Sequence, residues 1–221
     1  MHPIKSLNPY QNRWTIKARV TAKSDVRTFN GQKGAGQLFH VDLLDAQGGE
    51  IRATMFGDAV SRFHDIFHVD GVYFISKGKL KPANKKFNNL RNEYELQLDR
   101  DSIVNPCNDQ SSDIPKMHFS FTLIEQILNS QKDDIIDVIG VIVSMENLES
   151  ITTKATNKQL NKRTIIIADT TYRSIELTLW AERAESEQLQ PGNVIALKGV
   201  KVSDFKSKYI KFIIFILTFY S

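Results

Sequence analysis

The sequence predicts an all-β protein built as two tandem five-stranded barrels, because strand patterns dominate it and occur twice. Leu38–Phe56 has a counterpart in Arg163–Trp180, and Val72–Lys81 has one in Val194–Val202. The offset of about 120 residues is too long for a solenoid repeat and suits one small domain copied in tandem.

In the first copy, apolar residues alternate with polar residues along each predicted strand. Ile16 and Val20 mark one face of the first strand, and a helical spacing joins Val60 to Phe63 and Phe67. The predicted strands are Trp14–Thr21, Phe39–Leu43, Ile51–Phe56, Val72–Lys81 and Tyr94–Leu98, with the short helix between the third and the fourth. Three strands, a short helix and two strands is the order of the Greek-key barrel called the OB-fold.

The second copy repeats this order. Its predicted strands are Ile135–Ser144, Thr164–Asp169, Ser174–Leu179, Val194–Val202 and Tyr209–Thr218, with a helical turn at Ala181–Gln188 and a capping helix at Thr122–Asn129. We therefore expect a first barrel at residues 1–100, a polar, solvated linker at 101–118 and a second barrel at 119–221.

Composition and motifs exclude several classes of protein. A single cysteine excludes an intramolecular disulfide, and the five histidines show no ligand cluster, so no metal and no cofactor is expected. No nucleotide-binding or hydrolase motif occurs, so we expect a protein that is not an enzyme. No N-terminal signal segment is visible. The apolar run Tyr209–Tyr220 is shorter than a membrane helix and contains Lys211, so we expect a buried strand and no membrane association.

A basic segment joins strands four and five of the first copy. Lys77–Arg91 contains six basic residues and no acidic residue, and Lys85 stands close to the single aromatic, Phe87. The loop between strands one and two, Lys23–Gly36, adds Arg27, Phe29 and Lys33. These are the two loops with which an OB-fold closes over an oligonucleotide, since cations neutralise phosphates and an aromatic ring stacks on any base.

The second copy carries the same two features. Its first loop, Ser150–Arg163, is basic without an acid, and the segment after its fourth strand contains Lys201 and Phe205. Phe56 and Trp180 also stand at equivalent positions, at the end of strand three and on the face opposite the core. A basic loop is usually only solvated, and an aromatic at a strand end is more often a core cap. Recurrence of both features in both copies favours nucleic-acid binding.

The residues resemble a known family. The first copy contains S-L-N-P-Y-Q-N-R-W-T-I-K-A-R-V-T, E-I-R-A-T-M-F and S-K-G-K-L-K-P-A-N-K-K-F, and the second contains K-R-T-I-I-I-A-D, L-T-L-W and K-G-V-K-V-S-D-F. They are similar to the first and second central DNA-binding domains of the replication protein A large subunit, and the similarity is plant-like. It runs from about Ile4 to about Lys208.

The resemblance implies single-stranded DNA as the partner, with two stacking aromatics per domain. Carried over by position, the aromatics are Phe56, Phe87, Trp180 and Phe205, and the polar contacts are Arg19, Arg27, Arg52, Lys81 and Glu95, then Lys154, Lys158, Lys162, Thr178, Lys201 and Ser203. We add Lys85 from the basic segment. Phe29 stands where the family often has tryptophan or tyrosine, which gives it only weak support as a stacking residue.

The family further implies a nuclear protein of DNA replication, repair and recombination. Its other subunits and repair proteins are the implied protein partners. The family subunit is longer, with an N-terminal protein-interaction OB-fold and a C-terminal zinc-containing OB-fold through which the trimer assembles. Neither is recognised in this sequence, so assembly and zinc binding are in doubt. A protein-interaction module, an RNA-binding accessory domain and a truncated paralogue with weak DNA binding remain the alternatives.

Overall fold

The chain folds as two units made almost entirely of β-strands. The computed structural model describes residues 1–11, 13–31, 34–108, 113–127, 129–152, 159–203, 210–211 and 216–220, the last two ranges by their backbone only. Its contacts divide the chain into Met1–His118 and Phe119–Ser221. The predicted all-β class, with two OB-fold barrels, is confirmed.

The first unit follows the predicted order of elements, with additional strands. A 3₁₀ turn at Ile4–Ser6 precedes β1 (Thr15–Lys23), β2 (Arg27–Gly31), β3 (Gly34–Leu44), β4 (Glu50–Phe56), α1 (Asp58–Phe63), β5 (Val72–Ser76), β6 (Lys79–Pro82), β7 (Tyr94–Leu98) and β8 (Ile103–Pro106). The extra strand β2 lies within Lys23–Gly36, which was predicted as a loop, and forms a hairpin with β3.

One predicted strand is divided, and the division closes the barrel. The sheet order is β6-β7-β4-β3-β1-β5-β8, so β5 pairs with β1 whereas β6 pairs with β7. Between them, Lys77 has a positive φ of 58°. A Cβ at Gly78 would lie 2.7 Å from Leu98 Cδ2 and 3.2 Å from the Trp14 ring, so only glycine fits the bend. The chain thereby turns from one edge of the sheet to the other.

Alternation of side chains builds the core of this barrel. Ile16, Phe39, Ile51 and Met55 are completely buried, as are further residues at the same phase in β1, β3 and β4. Helix α1 and the turn after it add Phe63 and Phe67 to the same core. The short helix therefore contributes side chains to the hydrophobic core.

Part of the segment expected to be a solvated linker is packed on the first barrel. Strand β8 pairs antiparallel with β5, and Ile114 is buried against Leu44 and Val72. Arg19 donates hydrogen bonds from Nε and Nη2 to the Ile114 carbonyl oxygen at 3.0 and 2.9 Å. A polar composition suggested a linker, but pairing of a strand to a sheet edge uses backbone groups that composition does not reveal.

The second unit repeats the topology. It contains α2 (Ile124–Ile127), β9 (Ile135–Met145), β10 (Glu149–Thr152), β11 (Gln159–Ala168), β12 (Ser174–Trp180), a 3₁₀ turn at Ala181–Glu185, β13 (Val194–Lys201), β14 (Ile210–Lys211) and β15 (Ile216–Tyr220). The sheet order is β14-β12-β11-β9-β13-β15, and β10 pairs with β11. Of the single final strand predicted at Tyr209–Thr218, the described residues belong to two strands with different partners. Strand β14 runs parallel to β12, and β15 pairs with β13 as β8 pairs with β5.

A repeated aspartate fastens the segment before each barrel to the barrel itself. Asp45, directly after β3, accepts hydrogen bonds from the backbone N–H groups of Ile4 at 2.6 Å and Gly49 at 2.7 Å. Asp169, directly after β11, accepts them from Ile124 at 2.7 Å and Thr171 at 2.9 Å. Partial burial alone would raise the pKa of Asp169, but these hydrogen bonds outweigh it and hold that pKa below its ordinary value.

We predict that Asp169→Asn destabilises the second unit by about 1–2 kcal/mol near neutral pH, because one of the two N–H donors then faces an amide NH₂ group. The lowered pKa in the folded state means that the carboxylate stabilises the fold above the ordinary value of 3.8. This contribution is lost as the pH falls below that value. Urea unfolding at several pH values should show the difference between variant and parent shrinking toward acid. Glu187→Gln, an exposed carboxylate of the same unit, is the control. A difference that stays constant across the pH range would contradict the prediction.

We predict that Arg19→Ala loosens the segment around Ile114, because two hydrogen bonds of the guanidinium hold that carbonyl and another holds the carbonyl of Asp70. Backbone amides of residues 113–118 should exchange hydrogen faster, by at least tenfold if about 1.4 kcal/mol of local stability is lost. Exchange measured by mass spectrometry on peptides tests this, with Arg13→Ala at an exposed arginine as the control. Unchanged exchange in this segment would show that Arg19 does not hold it.

Candidate nucleic-acid interface

The outward face of β3 and β4 in the first unit carries polar and aromatic side chains. His40 stands opposite Thr54, and Asp42 stands opposite Arg52. Phe56 ends β4 and is 41% exposed, although its neighbour Met55 is completely buried. The same alternation that buries one set of residues therefore presents the other set on a single surface.

The β2–β3 hairpin brings a second aromatic ring to Phe56. The Phe29 and Phe56 rings meet edge to face, with centroids 6.1 Å apart. Phe29 lies across Gly36, where a Cβ would come within 2.6 Å of the ring. Sequence reasoning gave Phe29 little weight, and the signal that could have raised it is the glycine opposite in the hairpin.

Phe87 stands on the loop between β6 and β7 with 68% of its surface exposed. The loop backbone around it is well held, since the Asn84 carbonyl accepts from the N–H groups of Phe87 at 2.9 Å and Asn88 at 2.8 Å. Lys85 Nζ donates to the carbonyls of Leu90 at 2.9 Å and Asn92 at 2.6 Å. Burial lowers the pKa of Lys85. The Lys85 side chain therefore connects the two sides of the loop by hydrogen bonds.

Arg52 is nearly buried and fully engaged. Its Nε and Nη2 donate to the two carboxylate oxygens of Asp42 at 2.7 and 2.8 Å, and its Nη1 donates to the Phe87 carbonyl at 2.5 Å. The charge of Arg52 is thus matched by a carboxylate, and the guanidinium connects the sheet to the loop that carries Phe87.

The other predicted residues of the first unit fall into two groups. Arg27 on β2 and Lys81 on β6 are exposed, and within the described part of the chain neither side chain forms an ion pair. Glu95 on β7 faces the loop, where its Oε2 accepts a hydrogen bond from the Asn88 side chain at 3.2 Å. Arg19 belongs with neither group, because its guanidinium contacts the carbonyls of Ile114 and Asp70.

In the second unit, Trp180 ends β12 opposite Lys162, as Phe56 ends β4 opposite Leu38. Lys162 Nζ lies 3.4 Å from Glu149, Lys201 Nζ lies 2.8 Å from Asp133, and Thr178 is 7% exposed. Ser203 is half-buried just after β13. The predicted contacts Lys154, Lys158 and Phe205 lie outside the described residues.

The two faces differ in charge at one equivalent cross-strand pair. Where the first unit pairs Asp42 with Arg52, the second pairs Ile166 with Glu176. Burial, and then the nearby Glu146, raises the pKa of Glu176. In the first unit, burial and then the charge of Arg52 lower the pKa of His40, which favours its neutral form. The second face has a carboxylate where the first has a guanidinium.

The described residues contain no cluster of three or more side chains that could hold a metal ion. Within the same residues, no helix has both the length and the apolar composition needed to cross a bilayer.

Comparison with known proteins finds matches to both units. A family model described as "Replication protein A OB domain" matches residues 124–215, and one described as "Domain of unknown function DUF223" matches residues 5–130. The chain is similar to a 70 kDa DNA-binding subunit of replication protein A from Arabidopsis thaliana, with 45% identity over 94% of this chain and 34% of the relative. It is 42% identical to "Replication factor A protein 1" of Schizosaccharomyces pombe, over 94% of this chain and 34% of the relative.

A solved structure shows the same fold. It is the structure of a replication protein A heterotrimer bound to single-stranded DNA, which this chain matches at 40% identity with a TM-score of 0.57, over 99% of this chain and 51% of that one. The chain spans about a third of the length of the curated relatives it matches. With both units matched, the chain belongs to the family of the DNA-binding domains of the replication protein A 70 kDa subunit.

Proposed function

We propose that the chain binds single-stranded DNA with little sequence preference and has no catalytic activity of its own. The observation that carries this proposal is the pair of exposed rings, Phe56 and Phe87, in the same barrel as the exposed cations Arg27 and Lys81. An exposed ring stacks on any base, and an exposed cation neutralises a phosphate. The names of the relatives, which are DNA-binding subunits, support the same conclusion.

The roles of the predicted residues divide according to what each side chain already contacts. We assign stacking to Phe56, Phe87 and Trp180, with Phe29 as a support for Phe56, and phosphate contact to Arg27 and Lys81. Lys162 and Lys201 form ion pairs with the carboxylates of Glu149 and Asp133, and we propose that a phosphate replaces these carboxylates on binding. Thr178 and Ser203 are proposed as hydrogen-bonding groups of the second unit. Lys154, Lys158 and Phe205 keep their predicted roles on sequence alone. The occupied guanidinium of Arg19 and the occupied ammonium of Lys85 favour structural roles for these two residues.

The wider cellular role is proposed from the relatives. We propose a nuclear protein that acts in replication, repair and recombination, in association with other replication protein A subunits or repair proteins. The solved relative is a heterotrimer, which supports such association. Co-purification of the full-length product with the other two subunits from nuclear extract would test it, and a product found alone outside the nucleus would contradict it.

We predict that Phe56→Ala, Phe87→Ala and Trp180→Ala each weaken oligo-dT binding by about 1–3 kcal/mol, since each removes one base-stacking ring. Fluorescence anisotropy with labelled oligo-dT of several lengths measures the affinity. Tyr172→Ala is the control, because Tyr172 is 97% exposed but lies in the β11–β12 turn, at the opposite end of β12 from Trp180. If the binding free energy falls by only a few tenths of a kcal/mol in a folded variant, the ring has a structural role and does not stack on a base. A protein that binds peptides but no oligo-dT would favour the interaction-module alternative.

We predict that affinity falls steeply between about 50 and 200 mM salt, with a slope of log K against log salt of about −0.7 per neutralised phosphate. Replacing both Arg27 and Lys81 by alanine should make the slope shallower by about 1.4, because two phosphate contacts are removed. Lys5→Ala, at an exposed lysine in the N-terminal turn, should leave the slope unchanged. An unchanged slope in the double variant would assign phosphate contact to other cations. An affinity that is independent of salt in the parent protein would contradict the proposed mechanism.

A further inference from the structure

An acidic residue lies within the surface proposed to bind a polyanion. Asp42 projects from β3 opposite Arg52 on β4, and the two side chains are only 14% and 9% exposed. Both carboxylate oxygens accept hydrogen bonds from the guanidinium, at 2.7 and 2.8 Å. The electrostatics of DNA binding alone give no reason for a carboxylate here, since its charge repels phosphate.

The bidentate contact fixes the plane of the guanidinium, and this sets the direction of its remaining donors. A guanidinium has its N–H groups in a rigid planar fork, so two bonds to one carboxylate leave Nη1 aimed along one line. Nη1 donates to the backbone carbonyl of Phe87 at 2.5 Å. Asp42 therefore determines where Arg52 holds a peptide group of the distant β6–β7 loop.

The position of the Phe87 ring depends on that peptide group. The ring is 68% exposed, so packing against the core does little to fix it. The other contacts that hold the loop are made by its backbone and by its asparagine and lysine side chains. They run within the loop, from Asn88 to Glu95 on β7, and from Asn92 to Glu50 at the start of β4. Arg52 supplies a link from the middle of the binding sheet to the residue that bears the ring itself.

The second unit gives an internal comparison. At the positions of Asp42 and Arg52 it has Ile166 and Glu176, which cannot form a bidentate ion pair. The fold and the strand register are the same, so the barrel does not need this pair to form. A barrel of this fold can therefore form without such a pair, which leaves the pair in the first unit available for another role.

We propose that Asp42 is a positioning residue for DNA binding, acting through Arg52 on the stacking ring of Phe87. The inference rests on the proposed function of the first unit. The proposal predicts a change in DNA affinity opposite in direction to the one that electrostatics alone predicts. Removing a negative charge from a surface that binds phosphates should strengthen binding if the charge acts only electrostatically, whereas loss of the positioning contact should weaken it.

The test is a double-mutant cycle between Asp42→Asn and Phe87→Ala, with oligo-dT affinity as the readout. We expect Asp42→Asn to weaken binding by about threefold to tenfold in the parent and to have no weakening effect once Phe87 is alanine. The salt slope should stay unchanged, because no phosphate contact is removed. Asp25→Asn, at an exposed carboxylate in the β1–β2 turn, is the control and should bind equally well or more tightly.

Arg52→Lys is the second variant, since lysine keeps the charge but has no planar fork. It should lose affinity to a similar extent as Asp42→Asn and should likewise show no further loss with Phe87→Ala. Circular dichroism and the melting temperature establish that each variant is folded. If Asp42→Asn destabilises the fold, the double-mutant cycle is measured with Arg52→Lys and Phe87→Ala instead.

The outcomes separate this inference from the function it rests on. A parent protein that does not bind oligo-dT overturns both. A parent that binds and that is weakened by Phe87→Ala, but is strengthened or unaffected by Asp42→Asn, overturns the positioning role alone. Equal losses from Asp42→Asn in the parent and in the Phe87→Ala background would do the same, because the effect would then not pass through the ring.

Discussion

The register of β4 against β3 is the constraint on which both the core and the candidate interface depend. Val41 stands opposite Ala53 on the inward face, and Asp42 stands opposite Arg52 on the outward face. Because side chains alternate along a strand, a slip of one residue would put the charge of Arg52 into the core and expose Met55. The hydrophobic effect that excludes solvent completely from Ala53 and Met55 thus also determines which positions of β3 and β4 lie on the outward surface.

This constraint acts on one face only, which explains how the two units can share a fold and differ in charge. The core residues of both units are apolar, and the strand orders agree for the six strands that the described parts of both units share. The outward pair changes from Asp42 and Arg52 to Ile166 and Glu176 without any change in register. The two surfaces can therefore differ in their affinity for an anion while the barrels remain equivalent, and the carboxylate of Glu176 makes the second surface the less favourable one for phosphate.

The alternating pattern made the barrels and the exposed aromatics predictable from sequence, whereas the partners of the charged side chains were not predictable. Arg19 was assigned to DNA by its position in the family resemblance, and Lys85 because it lies in a basic segment. In the structure Arg19 contacts a carbonyl 95 residues away, and Lys85 contacts two carbonyls in its own loop. Every residue has a carbonyl, so no sequence pattern marks the one that will accept. The contact between the Phe29 and Phe56 rings was unpredictable for a related reason, since the Phe29 ring lies where Gly36 has no side chain.

The loop that bears Phe87 shows why such backbone contacts matter for binding. Stacking a base on an exposed ring gains a modest free energy, and ordering a mobile loop at the same time would offset much of it. Here Asn84, Asn88 and Asn92 each accept a hydrogen bond from a backbone N–H group two residues further on. These turns, with the contacts of Lys85 and Arg52, fix the backbone before any ligand arrives. With its backbone held in this way, the loop loses less conformational entropy in the proposed binding, so more of the stacking free energy is retained as affinity.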